Sequence, residues 1–275
     1  CLAPYPNRSS PIDSAEEPNL EEFMAEYLSA AFASGGEGGP ERIFRGVPDK
    51  SDRLIPSIGR ETEENTDGDI STLEQKLISE FKRLSVSELI EPPKTDFEWL
   101  FLAQHYGLPT RLLDWTTNPL VALFFAVEEH DDKDGVVYMV RRAVTDQYEL
   151  FDFSTANYTK EHQKEQVSVF AIQPNQGEVI FVRPRYTDRR YQNQKSVFSR
   201  PKNPYKSIEP DDMTKIEFSG RIKSKLRARL KTIGISTSYI YPGLGGIASE
   251  IKSLSFEPVR SGLMKIITLR AELKL

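Results

Sequence analysis

The chain has a single cysteine, Cys1, at its first position. An internal disulfide is therefore impossible, and cysteine-rich zinc sites are excluded. Histidine is nearly as scarce: His105, His130 and His162 are too scattered for a metal site, and no metal is expected. No apolar run reaches the roughly 18–20 residues that span a bilayer. The sequence has no Walker loop, no GxGxxG, no HExxH and no GxSxG. A net charge of -5 over 275 residues gives no general attraction to nucleic acid or anionic lipid. An initiator methionine is also lacking, which reads as a processed or trimmed product. The expected location is cytoplasmic; the alternative makes Cys1 the lipid-bearing residue of a bacterial lipoprotein.

Hydrophobic residues make up 38% of the chain and aromatic ones 10%, enough to fill a core. Residues 1–18 are polar, carry four prolines and read as a mobile leader. Residues 19–275 read as a single domain, helical over 19–130 and strand-rich over 135–275. Asn19 caps a helix whose apolar stripe is Leu20, Phe23, Met24, Tyr27, Leu28 and Ala31. A strand is predicted at 41–47 and irregular chain at 54–59. A helix follows at 71–90, with Leu73, Leu77, Phe81 and Leu84 on its apolar side. A buried helix over 97–106 stops at Gly107, and 110–114 reads as a short strand or loop. Asn118 and Pro119 open the next helix. Strands are predicted at 135–141, 167–172, 179–182, 196–198 and 215–218. Helices are predicted at 220–233 and 246–254, and a closing strand at 263–275. This succession predicts an α+β fold: a central, mostly antiparallel or mixed sheet flanked by helices.

Polar chemistry concentrates in one place. Residues 104–126, QHYGLPTRLLDWTTNPLVALFFA, gather Gln104, His105, Tyr106, Arg111, Asp114, Trp115, Thr116 and Thr117 just ahead of an apolar helix. Reactive side chains on a rigid apolar base are how a pocket is built. His105 reads either as a site residue or as a partly buried histidine bonded to a carbonyl, and Trp115 either as a stacking platform or as core. A second point is Phe44-Arg45-Gly46. An arginine inside a strand needs a partner or a ligand, and its planar fork suits phosphate or carboxylate. Asp114 is its candidate internal partner. Gly46 lets another chain or a ligand approach the backbone closely.

These pieces, with QKSVF from Gln194 to Phe198 and GISTSYIYPGLGGIASEIK near the C-terminus, resemble the FRG domain, a family named for its Phe/Tyr-Arg-Gly triplet. The resemblance covers residues 43–252. One departure stands out: Ser196 occupies a position where the family has glycine, which leaves the backbone there less free to approach a ligand. The order of parts is also similar to ADP-ribosyltransferases of the Arg–Ser/Thr–Glu kind. That similarity implies an ADP-ribosyltransferase-like core and an NAD substrate whose nicotinamide–ribose bond is cleaved, as in a bacterial toxin or anti-phage effector. Arg45 would hold the dinucleotide and Trp115, Thr116 or Thr117 would shape the nicotinamide pocket. Gln194 falls near the acidic position. A glutamine there weakens transfer, or another acid such as Glu178 serves. Arg45, Thr116, Gln194 and Glu178 are thus the candidate catalytic residues. Gly46, Gln104, His105, Tyr106, Arg111, Asp114, Trp115 and Thr117 are the candidate substrate contacts.

The expected partners are the dinucleotide and a protein or nucleic-acid acceptor. The segment RIKSKLRARLK, from Arg221 to Lys231, holds six basic residues and no acid. It reads as a face for an acidic partner or as a solvated basic face. Two rivals remain. One is a non-catalytic module that binds a nucleotide or nucleic acid. The other is a nuclease using Asp114 and His105, which lacks a second nearby carboxylate to hold a metal.

Overall fold

The computed structural model describes residues 19–33, 42–62, 70–93, 96–141, 148–152, 179–184, 189–209 and 213–260. Expectations for the leader at 1–18, the strand at 167–172, Glu178, His162 and the closing strand at 263–275 lie outside these residues.

Seven strands form one sheet. In chain order they are β1 (Arg42–Val47), β2 (Leu113–Thr116), β3 (Gly135–Arg141), β4 (Tyr148–Asp152), β5 (Val179–Arg183), β6 (Ser196–Pro201) and β7 (Thr214–Phe218). The spatial order is β4-β5-β6-β2-β1-β3-β7. β4 and β5 run parallel, and every other neighbouring pair is antiparallel. The helices are α1 (Leu20–Phe32), α2 (Ser57–Thr62), α3 (Ile70–Ser85), α4 (Asp96–His105), α5 (Pro119–Val127), α6 (Arg189–Gln194), α7 (Lys223–Thr232), α8 (Thr237–Ile240) and α9 (Leu244–Arg260). The fold is α+β, as the sequence predicts, with a mixed and mostly antiparallel sheet.

Side chains alternate across the strands. On β1, Phe44 enters the core with α1, α5 and α7, whereas Ile43 and Val47 join a second core with Leu113, Trp115, Val136, Val140 and Phe181. A third core joins α3, α4 and α6 to Ile180, Val182 and Phe198. α5 is the central helix. Asn118 accepts the Leu120 N–H at 2.9 Å as its cap, and seven of its nine residues are buried. Burial of each large apolar side chain contributes about 1.5–3 kcal/mol, so α5 is anchored firmly. Tyr27 of α1 donates its hydroxyl to the Pro119 carbonyl at 2.5 Å, fastening α1 to the start of α5.

Gly46 explains how α5 lies so close to β1. A Cβ built there would fall 1.8 Å from the Ala122 carbonyl oxygen and 2.7 Å from the Ala126 nitrogen. The close approach foreseen at this glycine is that of the helix backbone.

Several boundaries differ from the sequence reading. Residues from Ser57 form a helix, not irregular chain. β2 begins at Leu113 because Thr110 is committed elsewhere: it exchanges backbone and hydroxyl bonds with Ser57, and its carbonyl accepts the Ile58 N–H at 3.2 Å. The expected apolar stripe of α3 is rotated. Leu73 and Leu84 are exposed, and Glu74 and Ile78 are buried instead. The cause is Arg111, 1% exposed, whose Nε and backbone N–H both donate to the 1% exposed Glu74 carboxylate, while its Nη2 donates to Ser71. A buried guanidinium with no carboxylate would be prohibitive, so Glu74 faces inward and the leucines yield.

Three stability outcomes are expected. Glu74→Gln leaves the guanidinium buried and uncompensated, and urea unfolding should show a loss of about 3–5 kcal/mol. The double change Glu74→Leu with Arg111→Met should cost less than Glu74→Gln alone. Gly46→Ala drives a Cβ into helix backbone that no rotamer change relieves, and should cost about 3 kcal/mol or more by the same measurement.

Candidate active site

β1 and β2 pair at one register position, Phe44 opposite Thr116. Beyond it the two strands part. On its other side β2 keeps its full pairing with β6, including Asp114 opposite Phe198 and Thr116 opposite Ser196. Across the gap, the Arg45 guanidinium donates from Nη1 to the Asp114 backbone carbonyl, in place of a ladder bond. A cavity of about 270 Å³ opens where the strands separate, and Arg45, Gly46, Asp114, Trp115, Thr116 and Gln194 all line it. The strand arginine and the Trp-Thr corner therefore converge on one open cavity.

Arg45 is partly buried. Burial lowers its pKa from the ordinary value, with Asp114 pulling the other way and Arg60 adding to the decrease. The group stays cationic, since arginine does not deprotonate in proteins. Its Nε is buried without a hydrogen-bond partner. The Asp114 carboxylate does not pair with Arg45: it accepts Gln104 Nε2 at 2.9 Å. Gln104 is itself oriented by the Thr110 hydroxyl, which donates to its Oε1. Gln104 thus supports the cavity from behind.

The other predicted residues divide between lining and framework. Trp115 shows 3% of its surface and donates Nε1 to the Ser199 hydroxyl at 2.7 Å, with its ring edge-on to Phe181. It is core with one edge on the cavity. The Thr116 hydroxyl donates to the Gln194 carbonyl at 2.5 Å and accepts the Asn118 N–H at 2.9 Å, so it ties three segments together. Gln194 donates Nε2 to the Ile240 carbonyl at 3.1 Å, holding α8. Thr117 fixes the same corner through its N–H to the Lys195 carbonyl. The left-handed backbone of this turn falls on Lys195, φ 49°, and Ser196 sits buried in β6. Arg111 belongs to the buried pair with Glu74 and does not line the cavity. His105 stands one layer back: its carbonyl accepts Arg190 Nη1 at 3.3 Å and its ring meets Tyr191 and Tyr106 edge-on. Tyr106 is 68% exposed and lies off the cavity.

The sequence reading missed Glu128, Glu129 and Arg190, which complete the wall. Glu128 follows α5 directly and lies three residues after Phe125, another lining residue. That spacing places both on one helix face and was the available signal. Glu128 Oε2 accepts the Tyr241 hydroxyl at 2.9 Å, leaving Oε1 without a protein donor among the described residues. Burial raises its carboxyl pKa; Glu129 adds to the rise, and Tyr241 and Arg190 oppose it. Burial beside Glu128 likewise pushes the Tyr241 hydroxyl upward, so it remains a donor. The Arg190 guanidinium lies 5.0 Å above the Tyr241 ring.

The basic segment is largely neutralised from within. Lys223 is fully buried and donates to the carbonyls of Pro48, Glu129 and His130 at 2.5, 3.0 and 2.8 Å. Arg227 forms a two-pronged pair with Asp131, Arg229 pairs with Glu21, and Lys231 lies 3.5 Å from Glu250. An acidic partner would find much less free charge there than the sequence suggests. Among the described residues, no group of three or more His, Cys, Asp or Glu side chains could hold a metal. Among the same residues, no helix is long and apolar enough to cross a membrane.

No curated protein and no solved structure matches the chain. One family model does match, over residues 40–135, a stretch running from just before β1 to the start of β3 and containing the cavity residues Arg45, Gly46, Asp114, Trp115, Thr116 and Glu128. Residues 40–135 match the FRG domain model.

Proposed function

We propose that the cavity between β1 and β2 binds the nicotinamide–ribose end of NAD and that the protein cleaves the bond between them. One observation carries this reading. The first-strand arginine, the Trp-Thr corner of the second strand and a carboxylate, Glu128, line a single open cavity. An ADP-ribosyltransferase-like arrangement has a first-strand arginine, a second-strand Ser/Thr or aromatic residue and an acid on a later strand; here the acid follows α5 instead. β6 lies beside β2 in the sheet, and Gln194, at the end of α6 just ahead of β6, also lines the cavity.

The charges suit the substrate. Asp114, Glu128 and Glu129 outnumber Arg45 and Arg190 on the wall. An acidic excess favours the cationic nicotinamide ring and the oxocarbenium centre that forms as the bond breaks. Arg45 Nη2, without a protein acceptor among the described residues, is left for the anionic pyrophosphate. At about 270 Å³ the cavity lies just below the usual range for small-molecule sites, about 300–1,000 Å³. It accommodates one half of a dinucleotide, and the remainder extends into solvent.

In this reading Glu128 takes the acidic role, since the Gln194 amide is occupied with α8. The bond pair of the breaking bond leaves on nicotinamide. The ionised Glu128 carboxylate faces the positive charge that develops on the ribose. Preorganised charge of this kind typically contributes about 100- to 1,000-fold in rate.

Incubation with NAD should release free nicotinamide, measured by chromatography. Arg45→Ala and Glu128→Gln should each reduce the rate by about 100-fold or more, with the melting temperature within a few degrees of the parent. Binding of NAD without any release, whatever acceptor is added, would leave a nucleotide-binding module.

The pH dependence gives a separate check. The active form is the ionised carboxylate and burial raises its pKa, so activity should rise with pH through a value above the ordinary 4.5 of a glutamic acid. The limb should be absent from the residual activity of Glu128→Gln. For stability the sign is opposite. The raised pKa favours folding below the unfolded value and that contribution is lost as pH climbs through the folded one. Glu128→Gln should therefore not be less stable than the parent at neutral pH.

A further inference from the structure

Glu128 lies one residue past the end of α5, so the helix fixes its backbone and leaves the direction of its side chain to the neighbours. A glutamate gives up much rotamer freedom when it is held in one direction. One phenol does the holding. The Tyr241 hydroxyl donates to Glu128 Oε2 at 2.9 Å, and Oε1 has no protein donor among the described residues. Glu128 lines the cavity, whereas Tyr241 stands behind it.

Tyr241 is in turn held by three elements. From α5, the rings of Phe124 and Phe125 meet its ring edge-on at 6.4 and 6.5 Å. From α6, the Arg190 guanidinium lies over the ring, and the side-chain amides of Asn193 and Gln194 bind the carbonyls of Tyr239 and Ile240 at 2.7 and 3.1 Å. From α9, Gly246 rests on its backbone: a Cβ there would fall 1.6 Å from the Tyr241 carbonyl oxygen. A side chain fixed so closely gives its partner a fixed direction as well.

We propose that Tyr241 is a positioning residue for the cleavage: its hydroxyl sets the direction of the Glu128 carboxylate and reserves Oε1 for the ribose. The inference rests on the reading of the cavity given above. The tyrosine touches no substrate and acts through Glu128 alone. A hydroxyl bonded to an ionised carboxylate makes a strong, charge-assisted bond, so the orientation is in place before the substrate arrives. The same bond opposes the rise that burial imposes on the Glu128 carboxyl, as does Arg190, whereas Glu129 adds to that rise. Arg45 and Asp114 lie across the cavity. On the other side stand His130, Asp132, Lys252 and Asp131 with its partner Arg227. Tyr241→Phe alters none of these charges and keeps the ring, so its effect on Glu128 reports the hydroxyl.

The test uses the full chain labelled with ¹³C at its glutamate carboxyls, the Glu128 resonance being the one that Glu128→Gln removes. In Tyr241→Phe the Glu128 titration should move to higher pH, with the melting temperature within a few degrees of the parent. The acid limb of nicotinamide release should move upward with it. Above that limb kcat should fall by about tenfold or more, with KM for NAD within about twofold of the parent because the ring does not contact substrate. A Glu128 titration and a kcat both unchanged in Tyr241→Phe would overturn the positioning role while leaving the cleavage reading intact. A loss confined to KM would also overturn it, by making Tyr241 a substrate contact. A Glu128 titration that shifts as expected in a protein that releases no nicotinamide would defeat the cleavage reading, and the positioning role would fall with it.

Discussion

The hydrogen bond from the Arg45 guanidinium to the Asp114 carbonyl bridges β1 and β2 at the cavity. It stands where a backbone ladder between β1 and β2 would otherwise continue beyond Phe44 and Thr116. A side chain reaching across the gap satisfies one carbonyl that the ladder leaves unpaired. Without that separation there would be no cavity. Gly46, the next residue, sets the other dimension by letting α5 rest directly on β1. The end of α5 then delivers Phe125, Glu128 and Glu129 to the same opening. The triplet Phe44-Arg45-Gly46 thus contributes core, bridge and close contact in consecutive residues.

The polar motif that precedes α5 does two jobs. Gln104, Thr110 and Arg111 build the frame: one orients Asp114, one ties β2 to α2, and one draws Glu74 into the core. Asp114, Trp115 and Thr116 reach the cavity, though the Thr116 hydroxyl and the Trp115 indole nitrogen already have protein partners. In the proposed reaction the groups that the frame leaves available among the described residues are Arg45 Nη2 and Glu128 Oε1. Arg190 joins the wall, with its guanidinium over the Tyr241 ring.

Local pattern made most of the elements legible. Asn19 and Asn118 cap the helices they were expected to cap, Gly107 takes φ 83° after α4, and β3 matches its predicted bounds. What failed was non-local. The inward turn of Glu74 depends on Arg111, 37 residues away, and no helical periodicity contains that partner. Arg111 looked like a ligand contact for the same reason, since its counter-ion lay in another helix. Glu128 gave no local sign of its role, because its hydrogen-bond partner Tyr241 lies 113 residues on. The six basic residues of 221–231 were visible as charge, but their acceptors in α1, α9 and the turn after α5 were not.

The most direct measurement is a crystal structure of the Glu128→Gln variant grown with NAD, which slows turnover while preserving the shape of the wall. The nicotinamide ribose is expected between Arg45 and residue 128, with the pyrophosphate on the Arg45 guanidinium. A dinucleotide seated elsewhere on the molecule, or β1 and β2 closed together over a cavity that never admits it, would contradict the account.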